Sequence, residues 1–251
     1  MADVGVVAVT YLTDPWCPWS WAAEPKLRRL GTEFAGQLAI TYVIAGMADA
    51  GVQPRAWLEA AARSGMPADP RGVMDAPPAA TQPAGLAVKA VAEQGDPGPY
   101  LRRLREAIFC ERRRPDRGEA LLELARDVEP ALDVGTLAIA FGSNGPVEAL
   151  GADLARAAGR RAVLEIDGAA VDAGAPYAGW RAAALAAGGE PAGSPLGVEA
   201  ALRSLGPCAT AEVAEVCDLP GPRAPAELWR LALEWRARPR AVLGGELWSA
   251  A

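Results

Sequence analysis

Histidine is absent from all 251 residues. That excludes imidazole metal sites, Ser-His and Cys-His dyads and proton transfer by histidine. Chemistry is left to carboxylates, hydroxyls, arginines and four cysteines, Cys17, Cys110, Cys208 and Cys217. No two of these lie close in the chain, and histidine cannot complete a tetrahedral set, so no metal site is expected. A basic surplus is also missing: 25 Lys and Arg stand against 31 Asp and Glu, a formal charge of -6. A general nucleic-acid coat needs a basic face, so no nucleic-acid partner is expected. No run approaches the ~20 uninterrupted apolar residues of a membrane span. Met1 to Thr13 has no basic start and is broken by Thr10, Tyr11 and Thr13, unlike a signal peptide. The expectation is a cytoplasmic protein without a membrane partner, its cysteines reduced. With 51% hydrophobic and 22% charged residues, the chain can build a packed core.

Val4 to Leu12 reads as a strand buried on both faces, because it is nearly all apolar and rich in valine. A helix follows from Pro18 to Leu30, kinked at Pro25. Gln37 to Ile44 alternates as a second strand, completing a βαβ unit. Helical periodicity then fills Pro54–Gly65, Ala80–Gln94, Tyr100–Arg112, Arg117–Asp127 and Val147–Ala158, separated by Pro and Gly pairs. Strands return at Ala162–Ile166 and Ala169–Asp172 around the Asp167-Gly168 turn, and a helix spans Tyr177–Ala187. After a Gly- and Pro-rich linker at Glu190–Pro195, the tail shows helices at Val198–Leu205, Ala211–Cys217 (capped by Thr210) and Arg223–Ala237. Arg240–Leu243 and Glu246–Trp248 pair as a small hairpin, so the tail has a winged-helix pattern. Its last helix carries apolar residues on more than one side, which suits packing against protein better than reading DNA.

The sharp feature is Thr13-Asp14-Pro15-Trp16-Cys17-Pro18-Trp19-Ser20-Trp21, at the junction of the first strand and first helix. Pro18 fits the first turn of a helix, where its missing N–H costs nothing. Cys17 is then the N-cap, with its sulfur placed to accept the Trp19 and Ser20 N–H groups at the positive end of the helix dipole. Both effects favour the thiolate, which is the nucleophile. The Ser20 hydroxyl, one turn on, is a candidate donor to the same sulfur. Trp16, Trp19 and Trp21, with Pro18 beside the cysteine, are candidates for an apolar rim that holds a peptide or thiol. Asp14 reads either as a turn residue or as a proton acceptor near Cys17. Cys110, Cys208 and Cys217 read as core filling.

The stretch DPWCPWSWAAEP, Asp14 to Pro25, resembles the DsbA-like branch of the thioredoxin superfamily, close to its cytoplasmic FrnE-type members. Likeness continues through Thr81 to Cys110 and, more weakly, through Asp153 to Gly168, so that it covers roughly residues 4 to 187. The fold implied is α/β: a thioredoxin-like core over 1–53 and 159–189, with an inserted helical domain at 54–158. The small winged-helix-like unit at 197–251 completes the chain. Two departures stand out. The redox family carries Cys-x-x-Cys, and here the second cysteine is Ser20. The family also opens its third strand with a cis-proline beside the active cysteine, and this chain has Arg161 and Ala162 there.

The resemblance implies thiol-disulfide exchange, with Cys17 and Ser20 as the catalytic pair and Arg161 and Ala162 beside the client. A lone cysteine forms a mixed disulfide but cannot resolve it internally. The partners implied are client protein thiols or a low-molecular-weight thiol, which would act as co-substrate; no bound cofactor is implied. Two other readings stay open. One is a redox-inactive binding or adaptor protein with a tryptophan-lined groove. The other is a relative of the kappa-type glutathione transferases and isomerases, which use serine where this chain has Cys17.

Overall fold

The computed structural model describes residues 5–47 and 52–251. Val4, the expected start of the first strand, lies outside them. The β-branched run folds as β1 (Val7–Thr13), followed by α1 (Pro18–Ala22), α2 (Glu24–Glu33) and β2 (Leu38–Ile44). Pro25 does more than kink the expected helix. The helix divides at Ala23, and Pro25 sits in the first turn of the second piece, where no N–H is required.

Among the described residues seven helices then precede the return of the sheet: α3 (Pro54–Ser64), α4 (Arg71–Asp75), α5 (Gln82–Ala92), α6 (Gly98–Cys110), α7 (Gly118–Ala125), α8 (Val134–Ala140) and α9 (Asn144–Ala157). Two of them, α4 and α8, carry no usable sequence period. The first is a five-residue turn flanked by prolines, and the second is capped by the Asp133 side chain, which accepts the Thr136 N–H at 3.0 Å. The sheet continues with β3 (Val163–Ile166) and β4 (Ala169–Asp172), and α10 (Tyr177–Ala186) follows. The strand order is β2-β1-β3-β4, with β1 and β2 parallel and the other pairs antiparallel.

One face of β1 presents Val7, Val9 and Tyr11 to Leu30, Phe34 and Trp180. The opposite face is covered only at its end, where Leu12 meets Val43 and Ala157. Ala8 is exposed and Thr10 half-buried, so the expected burial of β1 on both faces holds for its C-terminal end alone. The helices between β2 and β3 have their own core. Trp21 stacks on Phe109 at 5.5 Å and Trp57 tilts against the same ring at 4.4 Å.

The remaining elements are α11 (Val198–Leu205), β5 (Cys208–Ala209), α12 (Thr210–Val216), α13 (Arg223–Leu233), β6 (Ala237–Val242) and β7 (Gly245–Ala250), with β5, β7 and β6 in one antiparallel sheet. Strand β5, two residues long, has no period to read. Thr210 does not cap α12. The N-cap is Ala209, whose N–H is accepted by Glu212 at 2.6 Å, while the Thr210 hydroxyl accepts the Trp248 indole N–H at 2.9 Å. On α13 only one face is buried, through Ala224, Leu228 and Leu231. The second apolar side is not packed as expected: Trp229 is 48% exposed, Leu233 81%, and Trp235 just beyond the helix 88%.

Candidate functional site

Strand β1 ends at Thr13, and a tight turn carries the chain into α1. The Cys17 N–H donates to the Asp14 carbonyl at 3.2 Å, and the Trp16 N–H donates to Asp14 Oδ1 at 2.8 Å. The Cys17 carbonyl accepts the first helical bond, from the Trp21 N–H at 3.1 Å. Cys17 therefore stands at the N-cap with extended backbone, φ -77° and ψ 114°, and Pro18 follows in the first turn. The expected cap bonds to sulfur are absent: the Cys17 side chain accepts no hydrogen bond from the first turn. The Ser20 hydroxyl does not reach the sulfur either. It is fully buried and has no hydrogen-bond partner among the described residues.

The tryptophans separate. Trp19 remains half-buried at the surface of the site, with the Arg63 guanidinium 5.2 Å over its ring. Trp16 and Trp21 are correctly placed in sequence but not at the rim. Both belong to the core of the helical part, and the Trp21 indole N–H donates to the Pro67 carbonyl at 2.9 Å. Trp21, two residues from Trp19 on α1, faces roughly the other way, and Trp16 precedes the helix in the turn, so the three do not share one rim. Pro18 is buried and does not line the cavity.

Cys17 lies in a cavity of about 660 Å³. Trp19 and Lys26 of the first two helices line it, with Arg161 and Ala162 just before β3. The two positions proposed beside the cysteine are thus brought to it by the antiparallel pairing of β1 with β3. Ala162 holds a left-handed backbone, φ 53°, and its carbonyl accepts the Ala173 N–H at 3.0 Å. Among the described residues the one cis peptide bond is Glu129-Pro130, so the bond before Ala162 is trans. Sequence reasoning missed Arg63 of α3, Asp172 at the end of β4 and Glu215 of α12, which line the same cavity. Nothing local marks them, because each arrives from a distant element. Lys26 was in plain view on the quoted helix; its amine donates to the Ala173 and Ala175 carbonyls, the latter at 2.8 Å, and burial lowers its pKa.

Electrostatically the site is neither bare nor saturated. Burial raises the Asp14 carboxyl to about 6, against the opposing pull of the Trp16 N–H and the Arg105 and Arg161 charges. Its side chain bonds the turn backbone, which is the turn role. Arg105, buried in α6, donates to Thr13 Oγ1 and to Glu24. Burial pushes the other thiols up, Cys110 to about 12 and Cys208 and Cys217 to about 11. All three are free and buried, as core filling requires. Among the described residues no group of three His, Cys, Asp or Glu side chains could hold a metal ion, and no helix is long and apolar enough to cross a membrane.

A family model described as thioredoxin matches residues 11–160. The chain belongs to this family. The thioredoxin match runs through the Cys17 turn, the helices between β2 and β3, and the segment that leads to Arg161. Two solved structures of the cytosolic disulfide reductase DsbM from Pseudomonas aeruginosa are similar to the chain. One, determined with GSH, is 25% identical with a TM-score of 0.56, covering 70% of this chain and 96% of that one. The other is 26% identical with a TM-score of 0.56, covering 70% and 95%. They support a thioredoxin-like α/β core with additional helical parts. A curated relative, the ClpXP adapter protein SpxH of Halalkalibacterium halodurans, is 29% identical over 157 residues, 56% of this chain and 51% of that protein. The chain thus matches about half the length of that relative.

Proposed function

We propose that the protein is a thiol-disulfide oxidoreductase of monothiol type, exchanging through Cys17 with a small thiol that carries carboxylates. The observation that carries this reading is the setting of Cys17. It is only 2% exposed, yet it lines a cavity of the size that takes a small molecule. A slim ligand reaches such a sulfur more readily than a folded client does. Arg63 and Arg161, which line the cavity, pair with no carboxylate among the described residues and suit an acidic ligand. The likeness to DsbM, a disulfide reductase solved with GSH, supports the same reading.

The chemistry balances with one cysteine. The Cys17 thiolate attacks a glutathionylated disulfide, a Cys17–glutathione bond forms, and the client sulfur leaves as thiolate. A second glutathione thiolate then attacks that bond, releasing oxidised glutathione and regenerating the Cys17 thiolate. Glutathione supplies the electrons, and Ser20 takes no covalent part. Incubation with oxidised glutathione should give one glutathionyl adduct by intact mass, lost in Cys17→Ser. An adduct elsewhere, or none, would sink the proposal.

A second reading has its own observation. The exposed Trp229, Leu233 and Trp235 suit a protein partner, as an adaptor like SpxH would have. Under that reading Cys17→Ser would leave activity unchanged. The tail, in either case, is proposed to lack DNA affinity: Arg230 is paired with Glu227 and Glu234, and Arg236 with Glu199 and Glu234.

A further inference from the structure

We infer that α12 completes the ligand site, and that Glu215 selects a thiol ligand carrying an ammonium group as well as carboxylates. This rests on the exchange reading above and names the ligand class more closely. Glu215 lies outside the thioredoxin match at 11–160, yet it lines the cavity that holds Cys17. Its carboxylate is fixed rather than loose. Oε1 sits 3.1 Å from Arg29 Nη1, and the same guanidinium nitrogen is 3.4 Å from Asp218. Oε2 has no hydrogen bond among the described residues and remains able to accept one. Its side chain is 30% exposed, so an ion pair formed there is only partly screened.

The other charges of the cavity are disposed differently. The Lys26 amine is taken up by the Ala173 and Ala175 carbonyls, and Asp172, the second carboxylate of the cavity, has Oδ1 engaged by the Gly174 N–H. Arg63 covers Trp19, and Arg161 donates to the Gly46 carbonyl through Nη1 alone. A ligand with carboxylates only would therefore meet the two arginines but leave Glu215 repelling it. A zwitterionic thiol peptide satisfies both signs at once.

The test uses S-methylglutathione, which has no thiol to exchange, and its N-acetyl form, which lacks the ammonium. Calorimetry on the full chain should show wild type binding the amine form about tenfold more tightly, the size expected for one charge-assisted contact. Glu215→Gln should abolish the preference, Glu215→Asp should keep part of it, and Asp218→Asn, which loosens Arg29 without entering the cavity, should keep all of it. Equal binding of both probes by wild type, no binding of either, or a preference that survives Glu215→Gln would overturn the inference. If the preference holds while Cys17 forms no adduct with oxidised glutathione, the exchange reading fails alone.

Discussion

Arg102 Nη2 lies 3.0 Å from Glu212 Oε2, joining α6 to α12 across 110 residues of chain, with the Glu212 side chain wholly withdrawn from solvent. Arg28 Nε reaches the other Glu212 oxygen at 3.0 Å, and the Ala209 N–H donates to Oε2. One carboxylate therefore holds two guanidiniums and a helix start together. Such an ion pair is a poor source of net stability but costly to break, since the surviving charges stay buried. Glu212→Ala should destabilise the protein by about 3–5 kcal/mol, read as a lower denaturation midpoint in guanidinium. A loss under 1 kcal/mol would show that the network is dispensable.

Asp14 gives a pH prediction with a definite sign. Burial pushes its folded carboxyl up to about 6, above the ordinary 3.8, because it penalises the charge. The folded state thus holds the proton more tightly, and stability falls as pH rises from about 4 to 6, then levels. Asp14→Asn keeps an oxygen for the Trp16 N–H and removes the charge. It should be more stable than wild type by about 1–3 kcal/mol at pH 7.5, with the advantage fading towards pH 4. Urea unfolding of both proteins across that range checks it, and a constant difference would contradict it.

The four thiols should react unequally. Burial holds Cys110, Cys208 and Cys217 in the protonated form well above neutral pH, to about 12, 11 and 11. Cys17 lines the cavity of about 660 Å³; Cys110 lines another of about 580 Å³, but there burial keeps the thiol protonated and so unreactive towards a disulfide probe. In native buffer at pH 8 a thiol-reactive chromophore should report one fast equivalent, and four after denaturation. Cys17→Ser should leave no fast equivalent at all; a persisting one would place the reactive thiol elsewhere.

Ser20→Cys should create an intramolecular pair. Residues 17 and 20 flank the first turn of α1; side chains three apart on a helix lie about 5–6 Å between Cβ atoms, and the extended backbone at the Cys17 N-cap has to bring them the last ångström or so to the ~3.5–4.5 Å that a disulfide needs. The Ser20 hydroxyl now lies buried without a partner, so removing it forfeits no hydrogen bond. Loss of two free thiols under mild oxidation, in a monomeric product, is the expected outcome. Intermolecular dimers instead would mean that the two sulfurs do not face each other.

Much of the framework followed from the sequence for plain physical reasons. A valine-rich run made β1, Asp167-Gly168 closed β3 onto β4, and Cys17 fell at a helix N-terminus because Pro18 fits the first helical turn without cost. These depend on neighbours within a few residues. That β1 buries mainly its odd residues and that the helix divides before Pro25 came only from packing. Short elements without a period, α4, α8 and β5, left no trace of that kind.

What the tertiary structure decided is how neighbouring side chains of one turn and its helix divide between core and cavity. Trp16, Trp19 and Trp21 look alike in the chain, yet packing against Phe109 and its neighbours takes two of them inward and leaves Trp19 beside Arg63. Arg161 and Ala162 could be placed near Cys17 by motif, but Asp172 and Glu215 could not, since they meet it only through the pairing of β3 with β4 and the docking of α12 on α2. Local sequence fixes backbone conformation because turns and caps act over a few residues, whereas the charge and shape around a reactive sulfur are sums over distant elements that only the packed chain brings within range.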